Sequence, residues 1–329
     1  MRYEEPQTAG SAIRLVKLSL KGLLCASFLL VISGNSGFAE ALYKYRGPNG
    51  EWIYSDRAPE DETPVEIREL PKGMVDPKVT IYHEFVDDIF YLVARNDFYV
   101  PVEVVLALDS LDNLAYPPAE HDRRWVVPAR SQLTLFELDK LDADLPADAG
   151  YRHVWLPGDP AAEHKPTEAY RAPFAVAGSY RISQAFPLGI THSTPESYYA
   201  VDIMMPIGTD VYAARAGTVF EVASTNFRGG VDPERDLPAA NMIRILHDDG
   251  TYAVYAHLNW NTIRVQPGDQ VEKGEYIADS GNTGFTTGPH LHFAIIHNKG
   301  LRLESIPFVF EGQNQSDVTP ETGKLLVAY

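Results

Sequence analysis

Short runs of β-branched and aromatic residues recur along most of this chain, and Gly, Pro, Asn and Asp separate them. KVTIYHEF, FYLVARND, VEVVLALD and NMIRILHDDGTYAVYAHL show the pattern. Runs of this length and composition, bounded by turn residues, are typical of strands. The 24 glycines and 24 prolines among 329 residues supply the turns and disfavour long helices. The sequence therefore predicts an all-β protein.

Changes in composition divide the chain into parts. The strand-like runs of residues 78–157 have the spacing of a β-sandwich. A stretch rich in Pro and Ala follows them, which is typical of a linker. The predicted parts are an export signal at 1–39, a small β-hairpin domain at 40–75, a β-sandwich-like domain at 76–157, a linker at 158–170, a β-sheet domain at 171–312 and a polar, loose tail at 313–329.

An export signal is predicted at the N-terminus. Lys17 and Lys21 precede the apolar run LLCASFLLVI, and a small-x-small cleavage site ends at Ala39. That run is short for a membrane span, and no other apolar stretch is long enough for one. We therefore expect an exported, periplasmic protein whose signal is cleaved near Ala39 or retained as an inner-membrane anchor.

Charge and cysteine content exclude two classes of site. The net charge of -17 argues against nucleic acid as a partner, because phosphate backbones are bound by basic surfaces. The only cysteine, Cys25, lies inside the predicted signal, so the mature protein would have no thiolate ligand. Any metal would then be held by His, Asp or Glu. The sequence leaves the oligomeric state open.

The segment 42–70 carries a hairpin pattern. YKYR, a Pro-Asn-Gly turn and EWIYSD place strong β formers on both sides of a turn. This pattern resembles a small domain of unknown function that follows the signal peptide in secreted bacterial proteins. The matching residues are Tyr43, Lys44, Tyr45, Gly50, Tyr54, Ser55 and Asp56.

Histidines in the C-terminal part form a candidate constellation. His290 and His292 stand one residue apart in GPHLHF, so both face the same side of a strand. A zinc hydrolase needs three protein ligands, an open position for water, and groups that orient this water. Asp202 within an apolar strand, His257 in YAHL and the upstream His192 could complete such a set. These residue types alone do not say which histidine binds metal.

Two further histidines are expected to lie outside the site. His247 precedes the turn at 248–250 and is expected at the end of a hairpin. His297 has the opposite strand parity to His292, so its side chain is expected to point away.

The segment from about 171 to 311 resembles the lysostaphin/LytM family of zinc peptidases, which cut peptide bonds in bacterial cell walls. The family pattern is a histidine and an aspartate before P-x-G-T, then Y-x-H-L, then G-x-H-x-H. In this chain it is formed by His192 and Asp202 before MPIGTDV, His257 in YAHL, and His290 and His292 in GPHLHF. The stretches VQPGDQVEKGEYI and SGNTGFTTG also resemble the family.

The resemblance implies a LytM-type β-sheet peptidase domain at 171–312 that uses Zn²⁺. It implies that His192, Asp202 and His292 bind the metal. It also implies that His257 and His290 activate water and stabilise the tetrahedral intermediate. The implied substrate is peptidoglycan, cut at its stem-peptide cross-links.

One spacing departs from the family. The first histidine usually stands four residues before the aspartate, and Tyr198 occupies that position here. His192 is the only histidine between His164 and His247, so we expect 193–199 to loop out and return it to the metal.

Two other interpretations belong to different functional classes. The first is a non-catalytic LytM-like protein that binds the cell wall or regulates an amidase. Such relatives lose metal ligands, whereas this chain keeps all five residues. The second is a biotinyl, lipoyl or phosphotransfer carrier, because VQPGDQVEKGEYI resembles turns of those proteins. No lysine stands at an exposed hairpin tip to carry a cofactor, and the export signal disfavours phosphotransfer.

Overall fold

The computed structural model describes residues 41–46, 52–55, 65–69, 77–117 and 123–329. The predicted export signal at 1–39, with its cleavage point, lies outside the described residues. The remainder falls into two compact units, one within residues 7–76 and one from residue 77 to residue 329. Strands dominate both units, so the prediction of an all-β protein is confirmed.

The first unit is a three-stranded antiparallel sheet with the order β2-β1-β3. The predicted hairpin is present as β1 and β2, with Lys44 opposite Tyr54, and a third strand pairs along the other edge of β1. The strands are β1 (Ala41–Arg46), β2 (Trp52–Ser55) and β3 (Val65–Glu69).

The second unit begins with two three-stranded antiparallel sheets. These strands are β4 (Val79–Val86), β5 (Ile89–Asn96), β6 (Val102–Asp112), β7 (Arg124–Val127), β8 (Ser131–Asp139) and β9 (Asp148–Pro157). The orders are β4-β5-β8 and β7-β6-β9. Alternation along β5 and β6 turns Leu92 and Leu106 into one shared core, where both are fully buried.

A larger sheet of nine strands follows. Its strands are β10 (Ser179–Gln184), β11 (Val201–Ile203), β13 (Gly217–Ala223), β15 (Met242–Leu246), β16 (Tyr252–Ala256), β17 (Gln270–Val271), β20 (Leu291–Asn298), β21 (Leu303–Ser305) and β24 (Leu325–Val327). Three separate two-stranded sheets pair β12 (Asp210–Tyr212) with β18 (Tyr276–Asp279), β14 (Gly229–Gly230) with β19 (Gly284–Phe285), and β22 (Phe310–Glu311) with β23 (Asp317–Val318). The main order is β17-β13-β15-β16-β20-β11-β10-β24, with β21 on β20.

Helix is scarce in the described residues. The segment 224–240 contains β14, a single helical turn α1 (Pro233–Asp236) and a 3₁₀ turn at Leu237–Ala239. Asp232 caps α1, because its carboxylate accepts hydrogen bonds from the main-chain amides of Glu234 and Arg235. Another 3₁₀ turn lies at Gln313–Gln315.

The prediction of a loose C-terminal tail is wrong. Strand β24 pairs with β10, with Tyr180 opposite Leu326, and forms one edge of the large sheet. Leu326 and Ala328 alternate into the core and are almost fully buried. The polar composition of 313–324 hid this short apolar strand. The predicted linker also ends inside the core, because Tyr170 is buried there.

The two faces of the large sheet pack against different partners. Phe293 and Ile295 of β20 belong to the core of this sheet itself. Ala294 and Ile296 face the other way, into the core that contains the sandwich strands β5 and β6. The sandwich therefore packs on the face of the sheet that also presents His292.

Candidate metal centre

Three neighbouring strands bring Asp202 and His292 together. Asp202 of β11 lies directly opposite His292 of β20, which in turn lies opposite Ala256 of β16. The residues on either side of Asp202 are buried in the core of the sheet, so alternation turns its carboxylate to the opposite face. Asp202 is only 3% exposed there.

His192 reaches the same carboxylate from the loop between β10 and β11. Its Nε2 lies 3.1 Å from Asp202 Oδ1, and His292 Nδ1 lies 2.9 Å from the same oxygen. One donor atom from each of the three residues lies within 4.8 Å of the others. The structure thus brings His192 to Asp202 despite the long spacing between them in the sequence.

The donor atoms fit a tetrahedral zinc ion. Two imidazole nitrogens and one carboxylate oxygen are a ligand set that catalytic zinc uses, with a fourth position left for water. Both ring nitrogens of His192 are buried, and neither makes a hydrogen bond of good geometry, although Nε2 lies 3.1 Å from Asp202 Oδ1. Leaving such groups unpaired is costly, and a metal ion would satisfy one of them.

Electrostatics keep the carboxylate ionised. Burial raises the pKa of Asp202, but the adjoining His192 and His292 rings outweigh burial and hold this pKa well below its usual range. The ion-pair partners of Asp202 among the described residues are all histidines. The site therefore holds a negative charge that no arginine or lysine neutralises, which suits a bound cation.

His257 lies directly after β16 and has a left-handed backbone with φ of 62°. Its Nδ1 donates to the carbonyl of Thr283 over 2.7 Å, which leaves Nε2 as an acceptor. Gly284 permits this arrangement, because its φ is 82° and a Cβ there would lie 2.6 Å from Ala240. Burial, followed by the neighbouring histidines, lowers the pKa of His257 to about 3, so the ring is neutral.

His290 stands beside His257. The two ring centroids are 4.5 Å apart. His290 Nδ1 donates to the Gly288 carbonyl over 2.8 Å, and its Nε2 lies 3.7 Å from Asp202 Oδ2. Each of these two rings uses its Nδ1–H on a main-chain carbonyl, so Nε2 is the ring nitrogen that remains available to the site.

His247 and His297 lie apart from this group. His247 ends the hairpin after β15, where its Nδ1 donates to the Ala216 carbonyl over 2.8 Å. Burial lowers the pKa of His247 to about 4. His297 is buried on β20 with the parity opposite to that of His292.

Gln184 was not foreseen as part of the site. It ends β10 opposite Asp202, and its Nε2 donates to Asp202 Oδ2 over 2.7 Å. A lone glutamine in the strand SYRISQ carries no motif signal. Only the pairing of β10 with β11 reveals it.

The sequence model of peptidase family M23 matches residues 196–303, which include Asp202, His257, His290 and His292. This segment is a peptidase M23 domain. The match begins after His192, so the geometry alone brings that histidine to the M23 residues.

Two of three similar relatives are endopeptidases by name, and one of these names peptidoglycan. Lysostaphin of Staphylococcus simulans is 38% identical over 142 residues, which are 41% of this chain and 26% of lysostaphin. Glycyl-glycine endopeptidase ALE-1 of Staphylococcus capitis is 37% identical over 34% of this chain and 27% of its own length. Peptidoglycan DD-endopeptidase ShyA of Vibrio cholerae is 32% identical over 37% of this chain and 26% of its own length.

The matched segments thus span only about a quarter of these relatives. Among solved structures, the catalytic domain of lysostaphin from Staphylococcus simulans is 33% identical and covers 36% of this chain and 80% of that domain. The TM-score is 0.27, so the relationship rests on sequence rather than on superposition.

Proposed function

We propose that the M23 domain is a zinc-dependent endopeptidase that hydrolyses stem-peptide cross-links of peptidoglycan. One observation carries this proposal. His192, Asp202 and His292 converge within 4.8 Å, and the rings of His257 and His290 stand beside them. A protein that only binds the cell wall would not need this complete set of five.

Zinc would be held by His192 Nε2, Asp202 Oδ1 and His292 Nδ1, the atoms that already face one another. When bound, the ion lowers the pKa of a water molecule and polarises the carbonyl that is attacked. The strand pairing of Asp202 with His292 fixes two of these donors on a rigid sheet.

His257 and His290 would act on the attacking water and on the tetrahedral intermediate. The neutral His257 ring offers Nε2 as a hydrogen-bond acceptor that would orient the attacking water, while the Thr283 carbonyl fixes the ring orientation. His290 offers Nε2 beside Asp202, and once protonated it would donate to the oxyanion of the tetrahedral intermediate.

Substrate and location follow from the relatives and the predicted export signal. ShyA is a peptidoglycan endopeptidase by name, and an exported protein would meet peptidoglycan in the periplasm. Among the described residues, no helix has the length and apolar character to cross a membrane. Whether the signal is retained as an anchor stays a prediction.

The test uses the mature protein and purified sacculi. We expect about one zinc per chain, as in other mononuclear sites, and release of muropeptides whose identity reveals the bond that is cut. His257→Ala and His290→Ala should keep zinc and lose digestion. A wild-type protein that binds no zinc, or that binds zinc and leaves sacculi intact, would refute the proposal.

A further inference from the structure

We propose that Gln184 is a positioning residue that fixes both the Asp202 carboxylate and the loop carrying His192. This inference rests on the proposed zinc site, because it concerns how the ligands of that site are held. It also explains how this chain works with its first histidine ten positions before its aspartate.

The amide nitrogen of Gln184 selects which oxygen of Asp202 faces the metal. Gln184 Nε2 donates to Oδ2 over 2.7 Å, whereas Oδ1 lies 3.1 Å from His192 Nε2 and 2.9 Å from His292 Nδ1. With Oδ2 engaged, Oδ1 alone points between the two histidines. Outer hydrogen bonds of this kind orient metal ligands and tune affinity.

The amide oxygen of Gln184 holds the loop at the other end of the same side chain. Gln184 Oε1 accepts the main-chain amides of Ile190 and Thr191 over 2.7 and 2.9 Å. His192 follows directly. The side chain of Ile190 is 89% exposed, so no apolar burial holds the chain at that residue. The hydrogen bonds of Gln184 therefore supply the local constraint.

The far side of the loop is held separately. Ser305 of β21 donates from its amide to the Pro195 carbonyl over 2.8 Å, and its Oγ accepts the Tyr199 amide over 2.8 Å. The segment 193–199 is thereby tied back to the sheet, and Tyr198 stays 49% exposed at the position where the family pattern has histidine. With both ends fixed, His192 reaches Asp202 from a longer loop.

The first experiment compares two isosteric changes. Gln184→Met removes both the donor and the acceptor at nearly constant volume. Gln270→Met is the matched control, since Gln270 makes one exposed side-chain bond to Thr218 away from the site. Zinc affinity is measured by competition with a chromophoric chelator, and cobalt(II) spectra report ligand geometry.

We expect Gln184→Met to bind zinc about 10- to 100-fold more weakly, with an altered cobalt spectrum. Gln270→Met should behave as wild type. Saturating zinc should restore digestion by Gln184→Met, because a positioning residue acts only through the ligands that it holds. Unchanged zinc affinity, or activity that stays lost with the metal site filled, would overturn the positioning role.

A second measurement needs no variant and covers the case in which Gln184→Met fails to fold. In zinc-free wild type, the amides of Ile190 and Thr191 should exchange at least about tenfold more slowly than in an unstructured peptide, because hydrogen-bonded amides exchange only on opening. Exchange at the rate of an unstructured peptide would show that Gln184 does not hold these two amides, and would overturn the proposal. If wild type binds no zinc at all, the proposed function fails instead, which is a separate result.

Discussion

Two buried carboxylates in the larger unit have different partners. Glu103 of β6 is fully buried and accepts hydrogen bonds from Arg124, Asn298 and the Leu301 amide, at 2.7, 3.0 and 2.7 Å. Asp202 of β11 is 3% exposed, and its neighbours are histidines and Gln184. One carboxylate has a permanent cation as its partner, and the other does not.

This difference separates a structural carboxylate from a candidate ligand. Burying an ion is costly unless a partner compensates it. Arg124 is always charged and therefore compensates Glu103 with or without a bound metal. Glu103 is thus a structural residue, which links the sandwich to the turn after β20 by hydrogen bonds. Asp202 has imidazole partners that are neutral when unprotonated, so a cation from solution can complete its surroundings. The comparison therefore predicts opposite consequences for the same chemical change.

Asp202→Asn should have the largest effect. The change keeps the shape of the side chain but removes the charge, so we expect zinc affinity to fall by more than the roughly 10- to 100-fold typical of an outer hydrogen-bond partner. Sacculus digestion should be lost with it. Zinc titration and muropeptide release measure these outcomes. If the variant kept wild-type zinc affinity, Asp202 would not be a ligand.

Glu103→Gln is the same isosteric change at the structural carboxylate. Here we expect zinc affinity within about twofold of wild type, because Glu103 lies outside the ligand set. Stability should fall by about 2 kcal/mol, since hydrogen bonds to a charged group weaken and one donor loses its acceptor. The loss stays below the about 3–5 kcal/mol of a fully buried broken pair, because the Arg124 side chain is 55% exposed.

Urea unfolding at neutral pH, followed by the signal of the larger unit, gives this free energy. A Glu103→Gln protein with weakened zinc binding but unchanged stability would contradict the structural role assigned to Glu103. It would mean that the contact between the sandwich and the sheet controls the metal site.

Sequence patterns predicted one of these carboxylates and not the other. Asp202 was identified because a charged residue in the apolar run of β11 is unusual and because the histidine motifs flank it. Glu103 alternates with Val102 and Val104, which places it on the outer side of β6. Only the packing of Asn298 and Leu301 on that side buries it. Such long-range contacts leave no periodic signal.

The same limit explains the other differences. The five candidate site residues, which the structure brings together, could be predicted because their spacing and local context are specific, even though the loop around His192 is longer than usual. The strand β24 was missed because its position depends on pairing with β10, far away in the chain. Gln184 was missed because only the pairing of its own strand β10 with β11 sets it opposite Asp202. Strand type was therefore predictable locally, whereas sheet edges and supporting hydrogen bonds were not.

His247 extends the comparison to a buried histidine beside a fixed cation. Burial lowers its pKa to about 4, and the charge of Arg215 also lowers it. The unfolded value is about 6.5, so the unfolded chain binds the extra proton between about pH 6.5 and pH 4. Stability is therefore full above pH 6.5 and falls as the pH drops through this range.

His247→Gln should reduce that fall. Between pH 6.5 and pH 5, the wild type should lose about 2 kcal/mol more than the variant, at about 1.4 kcal/mol per pH unit. Urea unfolding at pH 7.5, 6.5 and 5 in the presence of a chelator measures the slopes. His257 contributes equally to both proteins, so the difference isolates His247. Parallel slopes would show that His247 is not held neutral by the fold.

Asp109→Asn should have the smallest effect, because it removes a carboxylate whose ion pair is exposed to solvent. Arg152 Nε contacts both oxygens of Asp109 at 2.9 and 3.0 Å, but the two side chains are 74% and 41% exposed. Water solvates each charge, so losing the pair should cost only about 0.2–1 kcal/mol, and less at high salt. Urea unfolding at low and high ionic strength measures it. A loss as large as that of Glu103→Gln would show that the contact itself, rather than burial, sets the cost of removing a paired carboxylate.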